Sequence, residues 1–344
     1  MNARVKPRTL FLTHEQRVLY FEEPGYTEII QPMTESRLLG ETSIHNYQRE
    51  WRWLESMHAE AGLSHSERRK SMERAQIRLV SQKIVETNPD LVIYIATWPS
   101  EAIRSTVLRE LRGLHKFKLC SVIWDSDESS IDSQTHDRCT ISVSDLTLVL
   151  DSKSRVDRIR ANTGIYSDFT NVERVTFLPT VPNPNIFHPT SNRVHDVNVS
   201  GSIEGFRGIV LTELQNAGIR TFRSGGVFNP DKCLPFADYA RDLAQSKIVV
   251  NTQTVSSRIQ VKGRVAQTLA SGAFLLEQDN PESRYYLEGI DVEYWKSIEE
   301  LVEKIRFYLA NDTTRETKAA RAHEQWRSRY SIDNFVETIL AGVH

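Results

Sequence analysis

The sequence predicts an α/β protein of two domains, each built on a parallel sheet. Short apolar runs alternate with amphipathic helical stretches along the chain, the pattern of strands buried between helices. A proline-dense stretch, Pro179 to Pro189, interrupts the alternation, which then restarts. The length, 344 residues, suits two domains at roughly 150 residues each.

In the first half, Arg8 to Leu12 reads as the opening strand, followed by helices over 43–61 and 66–87. Asn88-Pro89-Asp90 breaks the second helix, because a residue before proline avoids the helical region. Leu91 to Ala96 is a continuous apolar run, as a strand buried on both faces requires. A helix over Ser100 to Arg112 is predicted to stop at Gly113, and Leu119–Trp124, Leu146–Leu150 and Arg174–Leu178 read as strands. Four of the eleven residues from Pro179 to Pro189 are proline, which forbids a helix and suits a stiff, extended linker. Domains are therefore placed at 1–180 and 181–330, with a terminal helix over 331–344.

The second half reads as strand Asp196–Ser200, helix Phe206–Ala217 ending at Gly218, strand Ile219–Phe222 and strand Lys247–Asn251. Helix Gly263–Ser271 is closed by Gly272, and strand Ala273–Glu277 follows. Asn280-Pro281 opens a helix in the cap and first positions. Three more helical stretches fill 297–343. Two such halves are expected to face each other across a cleft at the C-terminal ends of their strands, where open parallel sheets bind ligands.

Composition narrows the function. Forty-three basic residues nearly balance 45 acidic ones, for a net charge of -2, so no broad field favours nucleic acid or an anionic membrane. Cys120, Cys139 and Cys233 match no metal spacing and read as reduced thiols. Neither a secretory signal nor a run of about 20 apolar residues is present. A cytoplasmic protein is expected, with the inner membrane face as a peripheral setting.

Four stretches of the C-terminal half carry a more specific pattern. They are Asp196-Val-Asn-Val-Ser-Gly-Ser202 with Arg207, Ser246-Lys-Ile-Val-Val-Asn251, Lys262 through Glu277, and Ile298 through Leu309. Together and in this order they resemble the CgeB-like spore-maturation glycosyltransferases, a GT-B branch near the family 4 retaining enzymes. The N-terminal half is similar mainly through Trp124-Asp-Ser-Asp127 and the proline stretch. The resemblance implies two Rossmann-like domains, a terminal helix over 331–344 that crosses back to the first of them, and transfer of a sugar from a nucleotide sugar, UDP- or GDP-linked, to a glycan, lipid-linked, protein or small-molecule acceptor. Retention of configuration is implied by kinship alone. It implies no cofactor beyond the co-substrate and no metal, with cations and helix N-termini holding the diphosphate.

Gly201 and Ser202 lie between a strand and a helix, where free N–H groups could meet phosphate. Arg207 stands where the family places a phosphate-binding cation. Lys262 and Arg264 flank Gly263 at a helix start, where cations oppose the macrodipole unless an anion is present. The related retaining enzymes carry a glutamate at the place of Gln267, which accepts from the donor ribose; the amide still accepts but has no charge. Their second glutamate, eight positions upstream, is Ile259 here. Glu277 and Asn251 end strands and are candidates to meet the donor sugar; Glu277 could equally support the helix start at Asn280.

In the first half Asp125 and Asp127 are the candidate catalytic or acceptor-binding pair, against a turn held by Asx hydrogen bonds. His14 reads as a loop histidine, and Tyr47, Trp51 and Trp53 read as core packing on a helix. Competing functions are a GT-B protein that binds a nucleotide or sugar without turnover, and a nucleotide-sugar epimerase or hydrolase on the same scaffold.

Overall fold

The computed structural model describes residues 5–13, 29–47, 54–57, 62–96, 103–124, 128–201, 205–223, 236–253 and 259–344. His14, Trp51, Trp53, Asp125, Asp127, Ser202 and Cys233 lie outside the described residues. The chain divides into two compact units. The first comprises Met1–Gln16, Met33–Leu178 and Ile332–His344; the second comprises Arg17–Pro32 and Pro179–Ser331.

The first unit holds a six-stranded sheet in the order β2-β1-β3-β4-β5-β6. Its strands are β1 Thr9–Thr13, β2 Thr42–Asn46, β3 Leu91–Ile95, β4 Lys118–Ile123, β5 Leu146–Val149 and β6 Val175–Phe177, all paired in parallel. Helices α1 His65–Thr87, α2 Ser105–Leu114, α3 Ile131–Val143 and α4 Lys153–Ala161 join them. Leu91 through Ile95 are each at most 2% exposed, which explains the unbroken apolar run.

Helix α1 starts in a reciprocal cap: Glu67 N donates to Ser64 Oγ, and Ser64 N donates to Glu67 Oε2 at 3.1 Å. Met72, Gln76, Val80 and Ile84 bury one face at four-residue spacing. The helix stops at Asn88, which adopts φ 42° and donates to Ile84 O at 2.7 Å.

The helix expected over 43–61 is corrected at its start, because residues 42–46 form β2. Thr42 to Asn46 pair with Thr9 to Thr13 at the sheet edge, so ladder hydrogen bonds override a local pattern that reads as helical. Tyr47 is nevertheless core, as expected: it is fully buried, packs on Tyr94 and donates to Ile95 O at 2.9 Å. Gly113 does not stop α2, which runs one residue further to Leu114 and closes at His115, whose N–H bonds Leu111 O. Helices α3 and α4 were not legible because charge shares their buried faces. Asp137 on α3 and Arg155 on α4 are 3% and 2% exposed and form an ion pair.

The second unit holds a five-stranded sheet in the order β11-β10-β9-β7-β8. Its strands are β7 His195–Asn198, β8 Thr221–Phe222, β9 Ser246–Asn251, β10 Phe274–Gln278 and β11 Glu293–Trp295, again all parallel. Helices α5 Phe206–Asn216, α6 Phe236–Ala244, α7 Gly263–Ala270, α8 Pro281–Tyr286, α9 Ile298–Ala310 and α10 Asp312–Arg329 accompany it.

The proline stretch forms no helix, yet it is not a loose spacer. Val181, Asn183 and Phe187 are buried, and Phe187 meets Phe236 of α6 edge-on at 5.3 Å. The last helix, α11 Ile332–Gly342, belongs to the first unit. Asp333 accepts from Ser36 Oγ at 2.8 Å and pairs with Arg37, and a Cβ on Gly342 would lie 2.9 Å from Leu146. Among the described residues no helix is long and apolar enough to cross a membrane.

Candidate functional site

In the second unit β7 is flanked by β8 and β9. Successive connections leave β7 in opposite directions, so a crevice opens at the C-terminal ends of β7 and β9. The chain there reads Gly201 just beyond β7 and Asn251 as the last residue of β9. Glu277 of β10 is in register with Asn251, and Tyr294 of β11 with Glu277. A polar row therefore runs along the carboxyl edge of the sheet.

Gly201 adopts φ 107°, a conformation side chains rarely take. It also has no room for one. An added Cβ would strike Arg264 Nη2 and lie 3.0 Å from Arg207 Nη1. Two guanidiniums from different helices thus converge on one bare stretch of backbone. Arg207 is 4% exposed and donates to Thr252 O at 3.1 Å. Burial foremost, and then the positive charge of Arg264, pushes its pKa down to about 9; Arg223 adds to this and Tyr239 opposes it. Arg264 donates to Asn251 Oδ1 at 3.0 Å, and its buried Nε has no hydrogen-bond partner among the described residues. Neither α5 nor α7 carries a capping side chain or an acidic residue in its first turn. Their first N–H groups and the two cations leave the corner strongly positive.

One carboxylate answers this charge from inside. Asn251 donates to Glu277 Oε2 at 2.7 Å, and Ser283 Oγ donates to Glu277 Oε1 at 2.6 Å. Glu277 is fully buried, and desolvation lifts its pKa to about 7 against the lowering pull of Ser283, Asn251, Asn280 and Arg264. Of the two readings of Glu277, support of the helix start is the one its contacts display: Asn280 caps α8 by accepting from Ser283 N at 2.9 Å. Hydrogen bonds link Glu277 to Arg264 through Asn251.

The other candidates divide. Lys262, the N-cap residue of α7, donates to Gln260 Oε1 at 2.7 Å, whereas Arg264 joins the Gly201 corner. Gln267 is 7% exposed and accepts from Tyr239 OH at 3.0 Å through its amide oxygen. Gln253 and Gln260 tie the two sides of 254–258 together, Gln253 Nε2 donating to Gln260 O at 2.8 Å. Tyr239, Arg223, Gln253 and Ser283 escaped sequence reasoning. Tyr239 sits on a helix that was not predicted, and the rest belong to no motif. Ser202, Asp125 and Asp127 lie outside the described residues. Among the described residues no group of three or more His, Cys, Asp or Glu side chains could hold a metal ion.

Residues 207–341 match the family described as "glycosyl transferase-like". Among solved structures, Anabaena HepE in complex with UDP and glucose is 13% identical, covering 97% of this chain and 99% of that one at a TM-score of 0.63. The fold is that of the GT-B glycosyltransferases. Sucrose-phosphate synthase from Thermosynechococcus elongatus is 10% identical over 98% of both chains at a TM-score of 0.59. The DNA-modifying enzyme β-glucosyltransferase is 12% identical over 98% of this chain and 99% of that one, at 0.55. No curated protein matches the chain.

In GT-B terms the matched stretch takes in Arg207, Asn251, Lys262, Arg264, Gln267 and Glu277, most of the polar corner just described. Gly201 lies just before it.

Proposed function

We propose that the protein is a glycosyltransferase that moves a sugar from a nucleoside-diphosphate sugar to an acceptor, with the diphosphate seated between Arg207 and Arg264 at Gly201. The convergence of two guanidiniums on a glycine that cannot carry a side chain supports this reading. Such a corner costs stability when empty of anion, and a diphosphate relieves the repulsion. As the glycosyl bond breaks, negative charge grows on the leaving diphosphate. Guanidiniums and N–H groups already in place stabilise that charge without reorganising. The cation pair supplies what a metal would otherwise supply, and we propose transfer without a metal.

UDP-glucose is the first donor to test, because HepE has been solved with it. In this reading Gln267, held by Tyr239, meets the nucleoside, while Lys262 and Ser202 add contacts at the phosphates. Asn251 and Glu277 hold Arg264. Asp125 and Asp127 serve the acceptor side, as a base or as acceptor ligands. Kinship with the spore-maturation and family 4 enzymes, and retention of configuration with it, rests on the sequence resemblance. The acceptor is a glycan, a lipid-linked carrier, a protein or a small molecule, and the setting is cytoplasmic or the inner membrane face.

The test is thermal unfolding with a panel of nucleoside diphosphates and nucleotide sugars, with and without chelator. A ligand at one hundred times its dissociation constant stabilises by about 2.7 kcal/mol. Arg264→Ala is expected to lose about 1.5–3 kcal/mol of that affinity, the worth of a hydrogen bond to a charged group. No shift with any nucleotide would sink the donor site, and a shift abolished by chelator would sink the metal-free reading.

A further inference from the structure

Resting on that donor site, we propose that Glu277 is its internal counter-ion: it holds Arg264 through Asn251 and takes up a proton when a diphosphate binds, so that donor binding is coupled to proton uptake.

The geometry is a chain of two hydrogen bonds. Arg264 Nη1 donates to Asn251 Oδ1 at 3.0 Å, and Asn251 Nδ2 donates to Glu277 Oε2 at 2.7 Å. Asn251 and Glu277 are fully buried and Arg264 is half-buried, so the carboxylate end of the relay is dry and feels the charge at the other end. Every element against the carboxylate presents a defined group. Strand β9 offers neutral Asn251, α7 offers Arg264, and α8 offers Ser283 with its cap Asn280. Strand β11 offers Tyr294, opposite in register, whose own pKa is raised by burial and then by Glu277. Asp279, two residues along, is engaged by Arg284 at 2.6 Å. The hydrogen bonds from Ser283, Asn251 and Asn280 favour the ionised form first, and the full charge that adds to them is that of Arg264.

A diphosphate cancels that charge. The positive end of the relay is neutralised while the carboxylate stays in its dry pocket, and the balance tips toward the protonated acid. Without ligand Glu277 titrates near neutrality, so part of the population binds a proton as the ligand arrives. Uptake means that affinity falls as pH rises. If the bound form keeps its proton throughout, affinity drops about tenfold between pH 6 and pH 8.

The measurement is isothermal calorimetry of the full chain with UDP-glucose at pH 7 in imidazole and in Bis-Tris, buffers of different ionisation enthalpy. Both phosphates of UDP-glucose are esterified and do not titrate in this range, so buffer-dependent heat reports the protein. Uptake of a fraction of a proton, up to about half, is expected, with none in Glu277→Gln, whose affinity should not vary between pH 6 and 8. A merely structural Glu277 would change affinity equally at every pH in the variant and show no uptake in the native chain. Binding with buffer-independent heat overturns the counter-ion role and leaves the donor site standing. If UDP-glucose does not bind, inorganic sulfate, dianionic over this range, replaces it as probe. Failure of sulfate as well removes the anion corner, and the counter-ion role with it.

Discussion

At Gly201 a single missing atom makes the site. A methyl group there would meet two guanidiniums and would also strain a φ of 107°. Gly201→Ala is expected to displace Arg264 and to weaken nucleotide binding at least as much as Arg264→Ala does, which the same unfolding panel measures. Glu277 carries the second residue-scale prediction. Folded, it holds its proton up to about pH 7 rather than 4.5. Between those values the folded chain binds more protons than the unfolded one, so this residue's contribution is complete at low pH and is lost as pH rises through 7. The loss amounts to about 3 kcal/mol at about 1.4 kcal/mol per unit. Urea unfolding of the native chain and Glu277→Gln across pH 4.5 to 8 should show their stability difference moving toward the variant by about that amount. A pH-independent difference would refute the shift. Gly201 and Arg264 were readable because a glycine at a strand-to-helix turn and a cation at a helix start have a chemical meaning on their own; Arg207 was readable only through the family resemblance. Tyr239 and Ser283 were not, since a lone hydroxyl acquires its meaning from the neighbour that folding brings to it.

At the level of elements, charge and edge position explain where the structure departs from the sequence pattern. Helices α3 and α4 pack through the Asp137–Arg155 pair, which also draws in Glu128 at 3.9 Å and keeps Arg155 strongly cationic despite burial. No apolar stripe marks such a face. Removing one member strands the other in a dry interior. Asp137→Ala is expected to destabilise the first unit by about 3–5 kcal/mol, read by urea unfolding, while leaving nucleotide affinity in the surviving folded fraction unchanged. A cost below about 1 kcal/mol, typical of surface pairs, would show that the pair is solvated. Strand β2 was misread for a different reason. An edge strand is stabilised by hydrogen bonds to β1 along its length, and these leave no signature in the side chains.

Across the whole molecule, near-neutral charge distinguishes this chain from proteins that bind nucleic acid through a broad field. One solved relative in fold modifies DNA, yet a net charge of -2 supplies little counter-ion release. Duplex DNA at physiological salt should not be retarded by the protein in a gel; retardation would move the acceptor search to nucleic acid. Hydrogen exchange offers a complementary reading. Nucleotide should slow exchange of amides at the ends of β7 and β9 and in the first turn of α7, because these line the positive corner. Protection that leaves this corner untouched would place the nucleotide elsewhere.

The sequence by itself determined the α/β alternation, the strands that form the two sheets' centres, and Gly201 and Arg264 of the positive corner. Each of these is written in local chemistry: a buried strand must be apolar, a left-handed turn needs glycine, an anion needs a cation. Tertiary structure alone decided that the segment Arg17–Pro32 joins a unit distant in sequence. It decided that residues 42–46 extend a sheet, that Arg264 rather than Lys262 meets Arg207, and that Glu277 faces inward to Asn251. These are contacts between segments far apart in the chain, and their free energy comes from pairing, burial and electrostatic balance that exist only once the partners are together.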